Sequence, residues 1–220
     1  MHPILGDFVS RTFYEHHGEP CIKAGRAEEE FFHDLPGYQA KVAAWINVPF
    51  DLGCETGGKS KSRQIEARRI AGELKRLLEH DSRLTFGVIA FYRAQVTELW
   101  HELYKLELAE LTDEGSYQIA PAWQETTNHQ GKLVERLRIG TVDAFQGKEF
   151  DVVFLSMTRS NNIKTTPDRP ETYSRKYGFL TLENRLCVAM SRQQRLLIVT
   201  GDLEMVKAEA DKPESEQQAI

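Results

Sequence analysis

The amino-acid sequence predicts an α/β fold: a doubly wound, mainly parallel sheet with helices on both faces. Three observations predict it. Short, continuous apolar runs recur along the chain, as suits strands buried on both faces of a parallel sheet. Stretches with helical spacing separate these runs, which is the alternation of an α/β domain. The length, 220 residues, gives one such domain a substantial core and would cramp two.

The elements follow in order. Residues 1–36 are rich in His, Gly and Glu and keep no period, so they read as a connecting arm leading into a single domain over 37–210. Val42-Ala-Ala-Trp-Ile-Asn-Val48 reads as the first strand, with a turn-rich loop of Gly53, Gly57 and Gly58 behind it. From about 62 to 79, Ala67, Ile70, Leu74, Leu77 and Leu78 fall at helical spacing. Phe86-Gly-Val-Ile-Ala-Phe91 is the next strand, and a helix runs from Arg93 towards Glu110. The polar stretch 112–130 reads as irregular, the centre of an insertion over about 97–135. Leu137-Arg-Ile-Gly-Thr-Val142, Val152-Val-Phe-Leu-Ser156 and Leu196-Leu-Ile-Val-Thr200 are further strands, with a helix over about 182–192 before the last. The polar residues 211–220 are expected to form a flexible tail.

Composition narrows the function classes. Hydrophobic residues make up 40% and charged residues 28%, no apolar run approaches a membrane span, and no basic-then-apolar leader opens the sequence. Cys21, Cys54 and Cys187 lie far apart with no Cys-x-x-Cys pair, which argues against structural zinc and a disulfide framework. An intracellular setting, cytoplasmic in a bacterium, is the expectation. The formal net charge of −5 counts against a protein that works alone on a phosphate backbone. Lys59, Lys61, Arg63, Arg68, Arg69, Lys75 and Arg76 nevertheless cluster. A solvated helix face and a polyanion contact both fit that cluster.

Ligands of open parallel sheets bind outside the carboxyl ends of the strands. Three polar segments are expected there: Phe91-Tyr-Arg-Ala-Gln95, Thr141-Val-Asp-Ala-Phe-Gln-Gly-Lys-Glu149, and the helix with Asn184, Arg185, Ser191 and Arg192. Arg185 and Arg192 on one helix would share a face with roughly 10 Å of rise between them. Their guanidinium groups present fixed donors to phosphate oxygens, although surface arginines with carboxylate partners give the same spacing. Gln146-Gly147 allows a ligand close to the backbone, or marks only a turn. Asp143 and Glu149 have no His near them in sequence, which favours hydrogen bonding over metal or base chemistry. No Gly-x-x-x-x-Gly-Lys-Ser/Thr phosphate loop is present, since the Gly-Gly-Lys-Ser inside 53–62 lacks the spacing. Neither Gly-x-Ser-x-Gly nor His-Glu-x-x-His occurs, and His16-His17 reads as a solvated pair. These residues alone do not spell a self-sufficient hydrolase.

Taken in order, these segments resemble the second, C-terminal RecA-like motor domain of superfamily 1 helicases of the nonsense-mediated-decay helicase type. Met1-His-Pro-Ile-Leu5 with Phe13-Tyr-Glu15 is similar to the stretch after the Tyr-Arg of that family's Tyr-Arg-Met-His-Pro motif. Gly87-Val-Ile-Ala-Phe-Tyr-Arg-Ala-Gln95 resembles motif IV, and Thr141 to Glu149 with Asp151-Val-Val153 resembles motif V. Asn184-Arg-Leu-Cys-Val-Ala-Met-Ser-Arg192 resembles motif VI, with Gly201-Asp202 after the next strand. The resemblance covers nearly the whole chain outside the insertion, and motifs V and VI at this separation are its most specific part. Departures are Cys187 where Asn is usual, Ser191 for Thr, Gln193 where Ala is common, and Arg63 at an often-Asn position.

The resemblance implies an ATP-dependent motor fragment. ATP and Mg2+ would be held mainly by an N-terminal RecA-like domain of the same full-length protein, with this domain completing the cleft. Arg192 is then the expected arginine finger and Arg185 a second catalytic candidate. Gln146, Gly147 and Glu149 would meet the nucleotide. Tyr92, Thr141 and Asp143 would meet single-stranded DNA or RNA, with 5′ to 3′ polarity. The isolated chain would be inactive as an ATPase. The alternative is a non-catalytic RecA-like module that binds nucleic acid or protein. A nuclease would need a carboxylate cluster that the sequence does not supply.

Overall fold

A computed structural model describes residues 1–210, so the tail expected at 211–220 lies outside the described residues. The chain opens with α1 (Pro3–Phe13). Proline in the first turn pre-sets the helical φ, and His2 Nδ1 accepts from the Ile4 N–H at 3.2 Å. The expected arm is therefore helical at its start, and Leu5 and Val9 are buried, as are Phe31 and Leu35 further on. Ile4, Leu5, Phe8, Val9 and Phe13 fall at helical spacing, but over three turns only, and the His-, Gly- and Glu-rich residues behind them keep no period.

The sheet strands are β1 (Ala43–Asn47), β2 (Phe86–Ala90), β7 (Leu137–Thr141), β8 (Phe150–Ser156) and β9 (Gln193–Gly201). They lie in the order β1-β9-β8-β2-β7, every neighbouring pair parallel. β2, β8 and the end of β9 are buried throughout, as expected of strands covered on both sides. Successive residues alternate faces. Phe86, Val88, Ala90, Val152, Phe154, Leu196 and Ile198 meet α2 (Gln64–Leu78) and α3 (Arg93–Lys105) through Ile70, Leu74, Leu99 and Leu103. Ile89, Phe91, Val153, Leu155, Leu197 and Val199 meet the other layer. That layer is α1, α4 (Glu171–Tyr177), α5 (Glu183–Met190) and α6 (Leu203–Ala210).

The insertion is not irregular. It folds as two antiparallel hairpins, β3 (Ala109–Leu111) with β4 (Tyr117–Ile119), and β5 (Glu125–Thr127) with β6 (Leu133–Glu135). Strands this short cannot display an alternation, so only their turns were visible in the sequence. In the second hairpin Asn128 Oδ1 accepts from the N–H groups of Gln130 and Lys132 at 3.0 and 3.1 Å. The first packs onto α3 through Tyr117, stacked on Trp100 with ring centroids 6.2 Å apart.

Candidate functional site

Polar residues gather at both ends of the sheet, and not only at the carboxyl ends that the sequence reading favoured. Glu149 and Arg192 directly precede β8 and β9, so they stand at the amino ends of neighbouring strands. The Phe150 N–H donates to the Arg192 carbonyl at 3.0 Å, and Gln194 Nε2 donates to Glu149 Oε2 at 3.1 Å. Gln146 and Gly147 belong to the segment that returns from the carboxyl end of β7 to the amino end of β8. Gly147 takes φ +71° there, a left-handed turn that a side chain would strain. Beside this corner, Thr85, His129, Lys148, Glu149, Gln194 and Arg195 line a cleft of about 330 Å³.

The shared helix face expected for Arg185 and Arg192 does not form, because α5 ends at Met190. The Ser191 N–H closes a tight last turn on the Val188 carbonyl at 3.3 Å, which throws Arg192 off the helix. Arg192 Nε donates to the Val188 carbonyl at 3.0 Å and its Nη2 to Ser191 Oγ at 2.6 Å. Among the described residues its Nη1 has no hydrogen-bond partner and the guanidinium has no carboxylate partner. Cys187 Sγ lies 3.9 Å from the hydroxyl of Tyr14, at the end of α1, and that bond is the main cause holding the phenol above its ordinary pKa.

Arg185 faces the opposite end. Its Nη2 donates to Asp143 Oδ2 at 3.3 Å, in the turn just after β7 and Thr141, and its guanidinium lies 4.7 Å from the Phe179 ring centroid. Arg185 therefore has the carboxylate partner that Arg192 lacks. Tyr92, expected to meet a strand directly, is only 3% exposed. Its hydroxyl accepts from Arg159 Nη1 at 3.2 Å and from the Phe179 N–H at 3.1 Å, which makes it a support. Thr141 is half-buried and Asp143 exposed. Lys59, Lys61, Arg175, Phe179 and Leu182 line a groove of about 570 Å³ at this end.

A buried polar scaffold holds these carboxyl-end loops. Arg159, 3% exposed, donates from Nε to Glu55 Oε2 at 2.8 Å and from Nη2 to the Arg175 carbonyl. Glu55 also accepts from the Ser160 N–H at 2.8 Å and Asn161 Nδ2 at 3.0 Å. Beneath it Glu66 accepts from Ser156 Oγ at 2.6 Å and the Thr158 N–H at 2.8 Å. Burial pushes the Glu66 carboxyl up to about 7 against those bonds and the nearby Arg63. Arg63 is itself 1% exposed and donates to the carbonyls of Gly53 and Pro49. The basic cluster read from the sequence is thus dispersed. Arg63 is core, Arg68 and Arg76 face Glu102 and Glu73, and only Lys59 and Lys61 line the groove.

Sequence reasoning missed Phe179, Arg159 and Glu55. The signals available were faint: a glycine before an aromatic residue just ahead of a helix, and a basic residue shortly after a buried strand.

The parallel sheet, the crossing segment that holds Gln146 to Glu149 and the arginine beyond α5 define a RecA-like domain of the superfamily 1 C-terminal motor type. Residues 1–204 match the family described as AAA domain, and the chain belongs to that family. It is 34% identical over 196 residues to DNA polymerase alpha-associated DNA helicase A of Saccharomyces cerevisiae, covering 86% of this chain and 22% of the relative. Over 70 residues it is 40% identical to the helicase required for RNAi-mediated heterochromatin assembly 1 of Schizosaccharomyces pombe, covering 32% of this chain and 6% of the relative. It is 27% identical over 209 residues to the regulator of nonsense transcripts 1 homolog of Neurospora crassa, covering 92% and 16%. The chain thus spans under a quarter of the length of these relatives. Among the described residues no helix is long and apolar enough to cross a membrane, and no group of three or more His, Cys, Asp or Glu is placed to hold a metal ion.

Proposed function

We propose that this domain completes the interdomain ATP site of a superfamily 1 helicase and carries part of its single-strand track. The observation that supports the reading most is Arg192: it directly precedes β9, its carbonyl accepts from the Phe150 N–H next to Glu149, and its guanidinium has no acidic partner among the described residues. Such a group is free to meet a γ-phosphoryl presented by a second domain. In hydrolysis a water oxygen bonds to the γ-phosphorus, the bond to the β–γ bridging oxygen breaks, and ADP and phosphate leave. Arg192 would stabilise the negative charge that shifts onto the phosphoryl oxygens and the leaving ADP. Glu149, Gln146 and Gly147 would line the same corner. The phosphate loop and the Mg2+ ligands are assigned to an N-terminal RecA-like domain, because this chain has no phosphate loop. At the other end Thr141 and Asp143 face the strand, with Tyr92 behind them, and Arg185 moves from the nucleotide to the nucleic-acid side.

The test is turnover by the full-length protein. Arg192→Ala should lower the ATPase rate by roughly 10³-fold or more, with poor rescue by lysine, which lacks the planar fork. Arg185→Ala should cost far less basal turnover. Equal losses from both, or an Arg192→Ala protein that unfolds while its folded fraction turns over normally, would refute the assignment.

A further inference from the structure

Phe179 is 38% exposed and stands in a groove whose other walls carry Lys59, Lys61 and Arg175. Its ring is fixed from two directions. It stacks on Tyr92 with centroids 4.9 Å apart at 26°, and Arg185 lies over it at 4.7 Å, tied to Asp143 at 3.3 Å. The backbone there is fixed as well, since the Phe179 N–H donates to the hydroxyl of the buried Tyr92. An exposed aromatic ring held rigid among cations matches what a single strand presents, bases alternating with phosphates. Because the ring is already ordered, binding would cost little side-chain entropy.

We propose that Phe179 and Arg185 form a base-stacking step, with Lys59, Lys61 and Arg175 on the neighbouring phosphates. With Tyr92 on one face of the Phe179 ring and Arg185 on the other, the step would take one base of single-stranded DNA or RNA on the outer face of the Arg185 guanidinium, against the exposed ring edge. This inference rests on the reading that the carboxyl end of the sheet carries the strand. It adds the residue that grips a base there.

The experiment uses this chain with fluorescein-labelled oligothymidine and oligouridine, read by anisotropy over a salt series, and with 5-iodouracil photo-crosslinking mapped by mass spectrometry. Phe179→Leu keeps apolar bulk and removes the ring on which the Arg185 plane is seated. It should weaken binding by about 5- to 100-fold, the range of one lost stack. It should also abolish a crosslink at residue 179 and leave the salt slope unchanged. Lys59→Ala and Lys61→Ala should instead flatten the slope, as phosphate contacts do. Should Phe179→Leu melt early, Arg185→Gln carries the test, with binding weakened and the melting temperature held. Weakening on either strand type supports the step. Wild-type affinity in Phe179→Leu, with crosslinks elsewhere, overturns it and leaves the track standing. Failure of the unaltered chain to bind either strand overturns both.

Discussion

Arg159→Met tests whether the buried scaffold, and not the apolar core alone, holds the carboxyl-end loops. The Arg159 side chain is 4% exposed and that of Glu55 7%, so neither charge is well hydrated. The substitution removes one charged bond to Glu55 at 2.8 Å, the bond to the Tyr92 hydroxyl at 3.2 Å and the bond to the Arg175 carbonyl. The Glu55 carboxylate stays buried and keeps the Ser160 N–H and Asn161. Breaking one side of a buried pair typically costs about 3–5 kcal/mol, and the surviving partners of Glu55, which include the Lys61 ammonium at 3.8 Å, place this case at the lower end. For a domain of this size, about 3 kcal/mol lowers the melting temperature by about 6–12 °C. Urea and thermal melts of the chain at neutral pH, followed by circular dichroism, measure it. Glu55→Gln in the Arg159→Met background should recover part of the loss, with a coupling of about 0.5–3 kcal/mol. An Arg159→Met chain within about 0.5 kcal/mol of the original, the range of an ordinary surface change, would refute the reasoning. Strict additivity of the two changes would refute it too.

Other expectations follow from single positions. Gly178→Ala forces φ +57° onto a residue with a side chain and puts its Cβ closer than 3.0 Å to Tyr92 Oη and Arg159 Nη1. A loss of about 2–4 kcal/mol should show in the same melts. Glu66 has a folded pKa of about 7, above its ordinary 4.5, so its contribution is fully present below the ordinary value and is lost as pH rises through about 7. Glu66→Gln cannot ionise, so its stability relative to the original chain should rise from about pH 5 to about pH 8, and an unchanged difference would refute the assignment. The isolated chain should release no phosphate from ATP above background, with or without single strands, in a coupled phosphate assay.

Much of the sheet was legible in the sequence, because parallel strands buried on both faces must be apolar without interruption. Phe86 to Ala90 and Val152 to Leu155 show this, and helix α2 betrayed itself through Ala67, Ile70 and Leu74. Three-residue strands carry no such mark, and that of α1 is diluted by the aperiodic stretch that follows it. The polar segments of the candidate site could be picked out in the sequence, but not the end of the sheet that each one reaches. Spacing put Arg185 and Arg192 on one helix, yet whether a helix runs two residues further depends on a single terminal turn. Here Ser191 closes that turn on Val188. Burial was the other unreadable variable: Arg63 and Tyr92 look like surface contacts in a string of letters and are nearly inaccessible in the fold.

The placement of α5 gives the proposed assignments a mechanical consequence. Its first turn holds Arg185 against Asp143 and Phe179, while the residue just beyond its end but one is Arg192. The segment from Val142 to Glu149 makes the same passage, leaving the carboxyl end of β7 with Asp143 and arriving at the amino end of β8 with Glu149. The two passages are clamped together where Arg185 meets Asp143 and where the Phe150 N–H meets the Arg192 carbonyl. A strand that pulls on Arg185 would therefore load the element that aims Arg192. Charge neutralisation separates this from simple positioning. Asp143→Asn removes the clamp at the proposed strand end without touching the proposed nucleotide corner. In the full-length protein it should leave turnover without nucleic acid unchanged within about 2-fold and cut the stimulation by saturating single strand by about 5-fold or more, the scale of a 1 kcal/mol coupling. Equal stimulation in the variant and the original, at saturating strand, would show that the clamp transmits nothing.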